Sequence, residues 1–162
     1  MTDGCMGIDC SENASVIAYL ANIRKRQLRQ EATRLYDPPP FGRPDECAIS
    51  TTHPDIISRV WQLGAKMPSD CRAVVYGCPA LVHPRTNVIF VFGGGTAYDL
   101  RLPQALADQA VSAGAFTHHK WASGGEINIR AELGEEWVGG RWLEREPQWC
   151  LAAYNHFGAL PP

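Results

Sequence analysis

A chain of 162 residues that is 45% apolar and 20% charged has the size and composition of one compact domain with its own core. A net charge of -2 and six cysteines argue against a nucleic-acid-binding module and against a disulfide scaffold. No stretch reaches the roughly 18 apolar residues of a membrane span, and acids stand near the N-terminus where a signal peptide carries basic residues, so a cytoplasmic protein without membrane contact is expected.

Residues 1–10 carry no periodic pattern. Ser11, with Asp9 and Glu12 beside it, suits a helix N-cap. Val16, Leu20 and Ile23, then Leu28, Ala32 and Leu35 after a drift of one residue, predict a long N-terminal helix to about Tyr36. Between positions 20 and 36 five basic residues (Arg24, Lys25, Arg26, Arg29, Arg34) face one acid, Glu31. Asp37 and three prolines end the helix, and PPPFGRPDE at 38–46 reads as a stiff connection. The expected organisation is an N-terminal arm and helix in 1–37, a Pro-rich connection in 38–50 and a compact α+β domain in 51–162.

The body opens with a helix that has Pro54 in its first turn, Ile56, Ile57, Val60 and Trp61 behind it, and Gly64 as its stop. Strands follow. RAVVY at 72–76 is short, a bend is expected at Gly77-Cys78-Pro79, and VIFVF at 88–92 is wholly apolar and reads as a central strand. Gly93-Gly94-Gly95 turns the chain into an alternating segment at 96–102, the pattern of a half-solvated strand. Such short spacings favour antiparallel neighbours. Pro103 starts another helix, with Leu106, Ala107, Ala110 and Val111 inward and Gly114 at its end. Strands are expected near 117–121 and at EINIR (126–130), and Glu146-Pro147 opens a last helix that Gly158 stops. The fold class is α+β: a single domain with an antiparallel sheet and helices packed on one face.

The three glycines do not make a phosphate loop. Neither G-x-G-x-x-G nor G-x-x-x-x-G-K-[ST] is present, and a strand rather than a helix follows, so a hairpin reversal is expected. His53, His83, His118, His119 and His156 form no H-x-x-x-H or H-E-x-x-H pattern. A metal site would have to draw on separate places, such as His83, Asp99 and His118 or His119. Cys5 with Cys10 and Cys71 with Cys78 are poorly spaced for zinc. Cys78, in its bend with His83 nearby, is the candidate nucleophile if one exists. No cofactor or metal is expected, and the sequence leans away from an enzyme.

Four of the five tryptophans (Trp121, Trp137, Trp142, Trp149) fall in the last third. Of these, Trp121 and Trp142, with Arg24, Arg26 and Arg29 of the basic helix, are the candidate binding residues. In layout alone, residues 76–142 resemble small bacterial domains of the compact α+β type seen in competence-regulator and YjbR-like proteins; no motif matches position by position, so the resemblance carries no functional residue. The expectation is a small non-catalytic protein-binding or accessory domain of a bacterial system, with a protein partner or self-association and no nucleic acid. The alternative is a small enzyme with a pocket between sheet and helices using His83, Asp99, His118 or Cys78.

Overall fold

The computed structural model describes residues 8, 10–30, 41–42, 52–94, 97–117, 133–134, 136–140 and 146–161; for 23–30, 116–117 and 146 it describes the backbone alone. A 3-10 turn, Ser11–Asn13, leads into α1 (Ala14–Gln30). Then come β1 (Phe41–Gly42), α2 (Pro54–Ala65), β2 (Arg72–Val75), β3 (Cys78–Val82), β4 (Ile89–Gly94), β5 (Ala97–Arg101), α3 (Gln104–Ser112), β6 (Phe116–Thr117), β7 (Trp137–Gly140) and α4 (Glu146–Gly158). The strands form one sheet in the order β1-β2-β3-β4-β5-β7-β6, antiparallel throughout. This is a single α+β domain. Of the strand expected at 117–121, Thr117 is the last residue of β6; positions 118–121, the strand expected at 126–130 and the positions expected to extend the first helix to 36 lie outside the described residues.

Local chemistry sets the hairpins. Val75 faces Cys78, and between them Tyr76 and Gly77 have φ of 49° and 80°, the twin left-handed residues that match the twist of a two-residue hairpin. The bend therefore sits one residue earlier than expected, and Cys78 and Pro79 belong to β3. Gly94 faces Ala97, so Gly95 and Thr96 alone connect β4 to β5. The glycine run leads from one paired strand into another. In the last turn of α2 the helix passes through Gly64 to Ala65, so Gly64 is not its stop. Phe41–Gly42, within the Pro-rich stretch, is itself an edge strand beside Val74 and Val75.

Both faces of the sheet are covered. On one, Ile56, Val60 and Leu63 of α2, Ala107 and Ala110 of α3, and Trp149, Cys150, Ala153 and Phe157 of α4 pack over Leu81, Val91, Tyr98, Leu100 and Val138. On the other, Val16, Tyr19 and Leu20 of α1 pack over Ala73, Val75, Ala80, Ile89, Phe92 and Trp137. Tyr19, Phe92 and Trp137 form a chain of rings with centroid separations of 5.7 and 5.3 Å. Burial of each such side chain contributes about 1.5–3 kcal/mol. The expected one-sided helical layer describes α2, α3 and α4, and α1 adds a layer opposite. β5 is not half-solvated: its alternation survives, yet Tyr98, Asp99 and Leu100 are all buried. A bulge between Leu81 and Val82 leaves Phe90 out of the pairing, so Phe90 and Val91 both join the α2–α4 core.

Pro79 creates a vacancy in the ladder. It pairs with Val74, and continuing the register from Ala80 opposite Phe92 sets it across from Gly93. Proline has no N–H to give, so the Gly93 carbonyl loses its ladder donor. The hydroxyl of buried Thr52 donates to that oxygen instead, at 3.4 Å. Thr52→Val is expected to cost about 1 kcal/mol. In a Pro79→Ala background, where an N–H returns to the same carbonyl, the cost should shrink. A double-mutant cycle by urea unfolding checks this; equal costs in both backgrounds would refute it.

Candidate functional site

His83, Arg85, Ser69 and Tyr154 come together where β3 turns into β4 beneath the end of α4. The loop 84–87 is closed by the His83 N–H donating to the Val88 carbonyl at 2.9 Å and the Asn87 N–H to the His83 carbonyl at 2.8 Å. Asn87 takes the left-handed conformation, φ 62°, which asparagine tolerates better than most residues. His83 is 7% exposed. Its Nδ1 accepts the Arg85 backbone N–H at 3.1 Å, and its ring lies 4.4 Å from that of Tyr154. The Tyr154 hydroxyl and the Ser69 hydroxyl share a 2.5 Å hydrogen bond. The Nε2 side of the imidazole abuts Gly158, where any Cβ would collide with the ring. The Arg85 guanidinium donates to the Gly158 carbonyl at 2.7 Å and to that of Leu160 at 2.5 Å, closing off carbonyls at the helix C-terminus.

This geometry disfavours the charged form of His83. Burial is the main cause of its lowered pKa, and the Arg85 charge adds to it. With one ring nitrogen accepting a backbone N–H and the other edge against Gly158, the imidazole has a structural post rather than an open position for a substrate. Tyr154 meets it ring to ring, so Ser69–Tyr154–His83 is not a nucleophile–base relay.

Cys78 and Asp99 belong to the opposite face. Cys78 is buried with Val75, Ala80 and Phe92, and Asp99, 4% exposed, pairs with Phe92 and Gly139. Since Ala80, Phe92 and Asp99 lie in one row, Cys78 is two strands across and two residues along from Asp99. From the strand spacing and rise that is about 12 Å. Neither joins His83, which touches α4 on the other side. Cys71 packs with the α2–α4 core while Cys78 packs under α1, so they share no zinc site. Burial pushes the Cys71 thiol up to about 12. Among the described residues no group of three or more His, Cys, Asp or Glu could hold a metal, and no helix is long and apolar enough to cross a membrane. His118, Trp121 and Trp142 lie outside the described residues, as do the side chains of Arg24, Arg26 and Arg29.

Sequence reading missed two groups that tie the α1 layer down. Asn13, fully buried, donates from Nδ2 to the carbonyls of Ile8 (3.0 Å) and Asn87 (2.8 Å) and accepts the Ile89 N–H at 2.8 Å. Arg101 donates to the Glu12 carboxylate at 2.9 Å and its backbone carbonyl at 3.1 Å. It also sits 3.8 Å from the Glu136 carboxylate, with its guanidinium carbon 4.8 Å above the Phe157 ring. Asparagine at a helix start signals only a cap; its reach to a turn 74 residues away has no local signature. No protein-family model, curated protein or solved structure matches this chain.

Proposed function

We propose that this chain is a small non-catalytic protein-binding or accessory domain of a bacterial system, recognising a protein partner or a second copy of itself. The observation that carries this reading is the separation of the described reactive side chains: His83 lies on one face of an unbroken sheet, Cys78 and Asp99 on the other. Asn13, His83, Arg85 and Arg101 bind the layers of the fold to one another. Trp137 and Trp149 are core residues, 1% and 6% exposed, which leaves Trp121 and Trp142 as the aromatic anchors of the C-terminal third, with Arg24, Arg26 and Arg29 as its charged counterpart on α1. Aromatic and arginine side chains dominate binding energy at protein interfaces. Neither nucleic acid nor a membrane surface is part of the proposal.

Sedimentation analysis, with cross-linking of the native protein in cells, tests it. The expected result is a stable dimer or a stoichiometric heterocomplex. Trp121→Ala with Trp142→Ala should weaken it at least tenfold, about 1.4 kcal/mol, with an unchanged unfolding midpoint. A strict monomer with no stoichiometric partner rejects the reading.

A further inference from the structure

We propose that His83 is an acid-operated latch on the C-terminal helix: its neutral ring holds the β3–β4 turn against the end of α4, and protonation at Nδ1 lets that end go. The argument rests on what Nδ1 does. It accepts the Arg85 N–H, so a proton there would set two N–H groups against each other and remove the acceptor that orders the loop. The same loop sends the Arg85 guanidinium to the carbonyls of Gly158 and Leu160, so loosening one loosens the other.

A second histidine in the chain provides the contrast. His53 caps α2 with the same device, its Nδ1 accepting the Asp55 N–H at 3.1 Å. Its side chain is 53% exposed and the Asp55 carboxylate lies 3.9 Å away, so a protonated ring there has water and an anion. His83 has neither. Arg85 faces it from its own loop and Tyr154 from α4, with Ser69 behind Tyr154. Asp70, nearby in the chain, is exposed and paired with Arg72, and the Cys71 thiol, at about 12, stays neutral. The Cys10 thiol is on the Asn87 carbonyl, Arg101 lies over Phe157, and exposed His156 also meets Phe157. No described carboxylate forms an ion pair with His83.

The sign follows from linkage. The folded state disfavours the imidazolium, so the unfolded or unlatched chain binds more protons just below the ordinary histidine value. The latch is complete above about pH 6.5 and weakens as pH falls through that value toward the lowered one.

Amide hydrogen exchange on the full chain, corrected for intrinsic rates, tests this. Between about pH 7.5 and about pH 5, protection across 150–158 should fall about tenfold or more relative to α2. His83→Asn, whose Oδ1 can accept the same N–H without titrating, should abolish the fall, and His53→Asn should leave it intact. A fall that persists in His83→Asn, or that is equal in α2 and α4, overturns the proposal. If His83→Asn does not fold, an NMR titration of the wild-type ring decides: protonation with no change in the α4 amides overturns it, and coincident change supports it.

Discussion

Replacing Asn13 with leucine is expected to cost about 3 kcal/mol or more of folding stability, the combined effect of stranding several buried backbone groups. Asn13 has no exposed surface and three hydrogen bonds, all to the main chain. Its amide orientation is fixed by its partners: two carbonyls require the NH2 and one N–H requires the oxygen. Leucine has the same number and branching of side-chain heavy atoms and leaves no cavity, so the loss would come chiefly from the Ile89 N–H and the Ile8 and Asn87 carbonyls. Asn13→Asp separates the components. It keeps an acceptor for Ile89 but turns a carboxylate toward two carbonyls, so it should be at least as damaging at neutral pH and partly recover in acid, where a protonated carboxyl can donate once. Urea unfolding midpoints at neutral and acid pH give both answers. A loss under about 1 kcal/mol for the leucine variant would mean that Asn13 is not what holds the start of α1.

The second large effect is expected at Gly93. A Cβ there would lie 2.9 Å from Ile56 Cγ2, 3.1 Å from Pro79 Cγ and 3.2 Å from Val60 Cγ2. These neighbours are held by α2 and β3, so none moves cheaply. Gly93→Ala should cost about 1–3 kcal/mol by overpacking, and Gly93→Val more, to the point of displacing α2 from the sheet. Gly94, one residue on, has only Phe92 Cε1 at 3.9 Å; Gly94→Ala should lie within about 0.5–1 kcal/mol of wild type and can be stabilising by restricting the unfolded chain. Ile56→Ala should partly rescue Gly93→Ala by making room. Chemical unfolding of the four variants measures this, and equal costs at the two glycines would refute the close-approach account. The result would also separate two jobs within one glycine run: Gly93 admits a helix, whereas Gly94 closes a hairpin.

Periodicity and punctuation in the sequence determined most of the elements. The wholly apolar segment at 88–92 marked the central strand, because only a strand covered on both faces can be apolar at every position. Gly114, with φ 110°, and Gly158 marked helix ends, and the absence of a helix after the glycine run excluded a phosphate loop, since such loops need a helix N-terminus behind them. Hydrophobic alternation also gave the correct sides of β5, but it could not say what lay over the second face. A polar residue at an alternating position reads as solvated until the layers close over it, and in the folded chain Asp99 is 4% exposed. Tertiary structure alone decided the relations among the candidate groups. His83, Cys78 and Asp99 are close in the chain, yet the pleat and the strand order divide them between faces. Asn13, Thr52 and Arg101 owe their roles to partners 76, 41 and 89 residues distant. Local pattern records the conformation a residue prefers; which carbonyl it must satisfy is fixed only when the layers close.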